Sequence, residues 1–137
     1  MESEAVKQDR TLTVMIVEDE EVSRAIAEVH LGNEGFKTVA MESAIAALTY
    51  MEEKGGEIDF ILLDRKMPGM EGLEFAKIIK CDPRYENVPI IMLTGMNGDK
   101  DMFEAKREGV EYYLNKPIEA DSLIKVIREV ADKINAK

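Results

Sequence analysis

Four apolar runs in this chain end in residues that can do chemistry. Val17 is followed by Glu18-Asp19-Glu20-Glu21, and Phe60-Ile61-Leu62-Leu63 runs straight into Asp64. Leu93 is followed by Thr94-Gly95, and Leu114 by Asn115-Lys116-Pro117. If these ends share one edge of a fold, Glu18, Asp19 and Asp64 meet a hydroxyl and an ammonium there. Converging carboxylates repel unless a cation lies among them. Hard oxygen donors in an open site suit Mg2+, which keeps several waters and takes few protein ligands, or Mn2+, which favours the same donors. An ammonium at that edge can bind carboxylate or phosphate oxygens. Taken singly, each residue has a plainer reading. Acids in the first turn of a helix favour its positive end, and Asp19 can serve as an N-cap. Asp64 can be a turn former ahead of Pro68-Gly69, and Lys116 an ordinary surface lysine.

The elements that must position these residues alternate. Short apolar, β-branched runs predict buried strands at Leu12–Val17, Phe36–Met41, Ile58–Leu63, Pro89–Leu93 and Glu111–Leu114. Helical patterns follow at Glu20–Glu34, closed by Gly35, and at Ala44–Lys54, with Ser43 as N-cap and Gly55-Gly56 as the stop. Others run over Gly72–Lys80, ending near Asp82-Pro83, over Asp99–Glu108, capped by Asp99 with Gly109 at its close, and over Glu119–Ile134. In the last helix Leu123, Ile127, Val130 and Ile134 form one apolar stripe, as in a helix lying on a sheet. Five strand–helix units in a row predict an α/β fold, a single doubly wound parallel sheet with helices on both faces. Functional residues in such sheets lie at the carboxyl ends of the strands, where the four runs end.

The chain has 137 residues, enough for one compact domain, with residues 1–10 as a polar N-terminal tail and 11–135 as the domain. Hydrophobic residues make up 45% and charged residues 34%, a soluble globular balance. The apolar runs are too short to span a bilayer, and the N-terminus has no secretory core, so no membrane role is expected. The single cysteine, Cys81, fits a reducing cytoplasm. A formal net charge of −10 without a basic patch argues against nucleic acid as a partner.

Together, the acid pair after the first strand, Asp64 after the third, Thr94 after the fourth and Lys116 after the fifth resemble the receiver domain of two-component response regulators, the CheY-like family. The resemblance covers roughly residues 11 to 135. It implies the flavodoxin-like strand order 2-1-3-4-5, with Asp64 as the phosphoacceptor for a sensor histidine kinase or a histidine phosphotransfer protein. Asp19 then ligates the metal directly, Glu18 through water, and Lys66 through its backbone carbonyl. Lys116 pairs with the phosphoryl oxygens, Thr94 swings in to bind them, and Tyr113 follows that hydroxyl. The output face is the fourth helix, fifth strand and fifth helix, engaging a downstream protein target. The family also implies a cis peptide between Lys116 and Pro117. Lys66, two residues after Asp64, and Met96, two after Thr94, depart from the family's usual side chains and bear on phosphoryl lifetime.

On this reading the chain is a stand-alone receiver, catalysing only its own phosphorylation and dephosphorylation, as a monomer or a phosphorylation-dependent dimer. A phosphorelay shuttle between histidine proteins fits the same residues. A Mg2+-dependent phosphohydrolase with an aspartate nucleophile needs an acid two residues past Asp64, where Lys66 stands. A flavodoxin-like cofactor binder needs Ser, Thr or Gly hydrogen-bond donors after the first strand to hold a phosphate, where Glu18 to Glu21 would repel one. His30 reads as a packed helix residue, the nine methionines as core filler, and Cys81 as inert.

Overall fold

A computed structural model describes residues 11–95 and 98–136, with side chains described for 11–95 and 103–136. The Met1–Arg10 tail, Met96 and the side chain of Asp99 lie outside the described residues. Five strands alternate with five helices: β1 Thr13–Val17, α1 Glu21–Asn33, β2 Lys37–Met41, α2 Ala44–Lys54, β3 Phe60–Asp64, α3 Gly72–Lys80, β4 Ile90–Thr94, α4 Gly98–Arg107, β5 Tyr112–Asn115 and α5 Ala120–Asn135. The sheet is parallel throughout and ordered β2-β1-β3-β4-β5.

Alternation along the strands divides the core into two layers. Met15, Val17, Ile61, Leu63, Ile90 and Met92 pack with α2, α3 and Ala105 of α4. Val14, Ile16, Phe60, Leu62, Ile91 and Leu93 pack with α1 and α5 on the other face. Strands β3 and β4 are buried along their whole length, as continuous apolar runs require when helices cover both faces. On α5, Leu123, Ile127 and Val130 are buried and Ile134 is partly buried, so the sequence stripe is the docking face.

The strands begin one or two residues later than the apolar runs. Leu12 and Ile58 are buried but lie just before the strands, Leu12 still accepting the Lys37 N–H at 3.0 Å, because hydrophobicity marks burial and not the bounds of a ladder. At the other end β3 takes in Asp64 and β4 takes in Thr94, fixing both on the ladder. Helix ends follow their local chemistry. Ser43 Oγ accepts from the Ala46 N–H at 3.1 Å. Gly35 and Gly109 close α1 and α4 with φ of +91°, each with paired Schellman bonds from itself and the next residue.

Three ends differ from expectation. Glu20, not Asp19, holds the N-cap position of α1, with no side-chain capping bond, which leaves Asp19 outside the helix. Gly55 has a right-handed φ of −58° and leads into a 3-10 turn, so it does not end α2 by a left-handed turn. Its lack of a side chain serves packing: a Cβ there would overlap the Tyr85 ring, whose hydroxyl donates to the Met51 carbonyl at 2.7 Å. Helix α4 begins at Gly98, placing Asp99 within its first turn and not at the cap.

Candidate functional site

Register sets the site. Val17 pairs with Leu63, Asp64 with Leu93 and Thr94 with Asn115, so the next residue of each chain segment emerges at one sheet edge. Carboxylate oxygens of Glu18, Asp19 and Asp64 lie within 4.8 Å of one another. Glu18 and Asp64 are buried, at 1% and 3% exposure, while Asp19 is open to solvent. Backbone bonds hold the acids there. The Glu18 N–H donates to the Met41 carbonyl at 3.1 Å, and the Arg24 guanidinium donates to the Glu18 carbonyl at 2.9 Å and the Asp19 carbonyl at 3.4 Å.

Lys116 enters from β5. Its Nζ lies 2.9 Å from Glu18 Oε1 and 3.0 Å from Asp64 Oδ1. The peptide between Lys116 and Pro117 is cis, and the Lys116 N–H donates to the Thr94 carbonyl at 2.8 Å. Burial disfavours the Lys116 ammonium, but its bonds to Glu18 and Asp64 outweigh that and raise its pKa above the ordinary lysine value. Glu18 behaves in the opposite sense. Burial, with the neighbouring Asp64 carboxylate, pushes its pKa up to about 7 despite the Lys116 contact. The ammonium lies 2.9 Å from Glu18 Oε1 but offsets only part of the cost of burying this carboxylate. One cation is thus shared between two buried carboxylates, and the pocket holds excess negative charge.

Thr94 is fully buried, and its Oγ1 donates to Asn115 Oδ1 at 3.2 Å. Tyr113, half-buried on the α4 side of β5, donates its hydroxyl to the Val110 carbonyl. Lys66 stands two residues past Asp64 with an exposed side chain. Asp64 itself is followed by a pinned loop. The Arg65 N–H donates to the Leu93 carbonyl at 3.0 Å, and the Arg65 carbonyl accepts from the Gly72 N–H at 2.9 Å. Gly69 takes a left-handed φ of +81°.

The structure therefore brings Glu18, Asp19, Asp64, Thr94 and Lys116 to the carboxyl edge, with Tyr113 at its border. Three supporting residues escaped the sequence reading. Asn115 holds the Thr94 hydroxyl, Arg24 holds the acidic loop, and Arg65 reaches Glu104 on α4. Asn115 is adjacent to Lys116 in sequence, but its pairing with Thr94 depends on a register that no local pattern reveals. His30 is half-buried on α1 and Cys81 is exposed at the end of α3, both away from the acids.

An acidic pocket at the carboxyl edge of a 2-1-3-4-5 sheet, with a lysine bridging two of the acids, defines a receiver-type switch domain. The chain matches the response regulator receiver domain family over residues 14–128 and belongs to that family. It is similar to the chemotaxis protein CheY-3 of Vibrio cholerae serotype O1, with 32% identity over 127 residues, 92% of this chain and 93% of that protein. It is also similar to the polar-differentiation response regulator DivK of Brucella ovis, with 32% identity over 120 residues, 86% of this chain and 94% of that one. The crystal structure of Vibrio cholerae CheY4 superposes with a TM-score of 0.82 at 27% identity, covering 88% of this chain and 99% of that one. The protein is a CheY- and DivK-like receiver domain of two-component signalling. No helix among the described residues is long and apolar enough to cross a membrane.

Proposed function

We propose that this receiver takes a phosphoryl group on Asp64 from a phosphohistidine, and that the resulting charge switches the binding of a downstream protein. The observation that carries the reading is a buried Asp64 whose Oδ1 is already paired, at 3.0 Å, with the ammonium of Lys116. An Asp64 oxygen attacks phosphorus, the new O–P bond forms as the P–N bond breaks, and the electron pair leaves on the imidazole nitrogen of the donor. The product is an acyl phosphate. Donors of this chemistry are a sensor histidine kinase or a histidine phosphotransfer protein. The chain catalyses this step only on itself and is not an enzyme with turnover on an external substrate.

Its own residues do the positioning. Lys116 holds Asp64 and Glu18 in the resting state, and its ammonium moves onto a phosphoryl oxygen as charge builds there. Thr94 must turn its hydroxyl from Asn115 to reach the same group, and Tyr113 on the neighbouring strand follows that change. The face formed by α4, β5 and α5 then presents a different surface to its target. Such a change shifts an equilibrium between two arrangements of one fold.

The residues fit a hard divalent cation, Mg2+ or Mn2+. Three carboxylates converge, those of Glu18 and Asp64 buried, and one ammonium, that of Lys116, offsets only part of their charge. Asp19 and Asp64 would hold the ion directly and Glu18 through water, with the Lys66 carbonyl as a further donor. When bound, the cation supplies charge neutralisation at the phosphoryl oxygens.

The experiment is incubation with acetyl phosphate and Mg2+, followed by intact mass measurement. An adduct of ~80 Da is expected in the wild-type protein and absent in Asp64→Asn. An adduct that survives in Asp64→Asn, or no adduct in the wild type, overturns the reading.

A further inference from the structure

Glu18 and Asp19 are consecutive in sequence, yet their carboxylate oxygens lie within 4.8 Å of each other and of Asp64. Neighbouring residues of an extended strand point to opposite faces. Both can reach one pocket only if the backbone leaves the strand conformation where they stand. It does so: β1 ends at Val17, Asp19 sits at a bend, and α1 begins at Glu21. A side-chain cap commonly fixes such a helix start by accepting a free N–H of the first turn. Glu20 holds the cap position and makes no such bond; its Oε1 instead accepts from the Ser23 hydroxyl at 2.5 Å. What holds the loop is Arg24, one helical turn further on. The carbonyls of Glu18, Asp19 and Glu20 all bond to it. Its guanidinium Nη1 donates to the Glu18 carbonyl at 2.9 Å and to the Asp19 carbonyl at 3.4 Å, and its backbone N–H donates to the Glu20 carbonyl at 2.9 Å. These bonds run to the backbone of the acid pair, so they orient the carboxylates without consuming their oxygens.

We propose that Arg24 is a positioning residue for the cation: by pinning the carbonyls of Glu18 and Asp19 it aims both carboxylates at one point, and so sets the affinity of the pocket for Mg2+. The inference rests on the reading of the pocket as a Mg2+ site. Mg2+ demands near-ideal octahedral geometry and takes few protein ligands, so a small error in their aim is felt in full. Groups that orient metal ligands from behind are worth roughly 10–100-fold in affinity. Charge argues the other way. A guanidinium near the site repels a dication, so if Arg24 acted only through its charge, removing it would tighten binding. The two effects have opposite signs. Positioning is the larger, because Asp19 is open to solvent, where salt screens the repulsion.

The test titrates Mg2+ into the full chain at constant ionic strength and follows the amide chemical shifts of Asp19, Asp64 and Lys116. Arg24→Met keeps an unbranched apolar stem and removes both charge and donors, whereas Arg24→Lys keeps the charge on a shorter reach. The Kd for Mg2+ is expected to weaken about tenfold in Arg24→Met, with Arg24→Lys between it and the wild type. A second readout needs no metal. In chelator, the backbone order parameters of residues 18–20 are expected to fall from about 0.85 in the wild type toward about 0.6 in Arg24→Met. A Kd in Arg24→Met equal to or tighter than that of the wild type overturns the proposal, whatever the variant's stability, and so does unchanged order at residues 18–20. Should Arg24→Met fail to fold, Arg24→Lys decides: weakening of more than about twofold supports the proposal, and anything less overturns it. A wild type whose amides do not respond to Mg2+ instead overturns the cation reading, and the proposal with it.

Discussion

Two buried carboxylates sharing one lysine set the behaviour of the site at the level of single residues. The pKa of Glu18 is pushed up to about 7 by burial and by Asp64, from an ordinary value of 4.5. A raised carboxyl pKa means that the folded state favours the protonated form. Its contribution to stability is fully present below about pH 4.5 and is lost as pH rises through about 7. Glu18→Gln should therefore stabilise the metal-free protein at pH 8, on the order of 2 kcal/mol, with the ionisation advantage gone at pH 4. Urea denaturation in a chelator at the two pH values measures this, and parallel pH dependence in variant and wild type would contradict it. The acids, Thr94 and Lys116 were legible in the sequence because each ends an apolar run. Arg24, Asn115 and Arg65 were not, since their roles lie in bonds to carbonyls, to a neighbouring strand and to a helix far along the chain.

At the level of elements, the loop from β3 to α3 fixes the phosphoacceptor candidate. Gly72 opens α3 so close to the end of β3 that an added Cβ would overlap the Asp64 carbonyl oxygen and crowd the Arg65 Cα. Both obstacles are backbone and cannot rotate aside. Gly72→Ala should destabilise the fold by about 2 kcal/mol and displace Asp64. A thermal melt, with chemical shifts of the Asp64 and Lys116 amides, checks this, and an unchanged melting temperature would count against the packing described. The sequence reading placed α3 with the observed bounds and found the caps at Ser43, Gly35 and Gly109, because those signals act within a few residues. It placed the end of α2 at Gly55 as observed but gave the wrong reason for the glycine, which is Tyr85, thirty positions away in sequence and adjacent in space. Strand starts slipped for a related reason: burial extends past the ladder at Leu12 and Ile58.

For the molecule as a whole, a formal charge of −10 concentrates part of its self-repulsion at one edge. A cation bound there in the folded state only must stabilise the whole cooperative unit. At about one hundred times the dissociation constant, Mg2+ should add about 2.7 kcal/mol to unfolding free energy. Asp19→Asn, which removes an exposed ligand and little packing, should lose most of that gain. The comparison needs NaCl at matched ionic strength, since general screening also relieves an acidic chain. Equal gains from Mg2+ and NaCl would rule out a specific site. Five alternating units made the sheet and its two helical layers readable from sequence, whereas pairing register, which aligns Thr94 with Asn115, became visible only in three dimensions.

The bridge from Lys116 to Glu18 and Asp64 also orders events in time. Synthesis runs from the amino terminus, so both carboxylates leave the ribosome well before the lysine that reconciles them. At about 5–20 residues per second, the stretch from Asp64 to Lys116 takes several seconds to make. During that interval β1 and β3 can pair, but the edge they form has two acids and no ammonium. On the phosphoacceptor reading of Asp64, a nascent chain lacks the ammonium that would meet a phosphoryl group until its fifth strand is laid down.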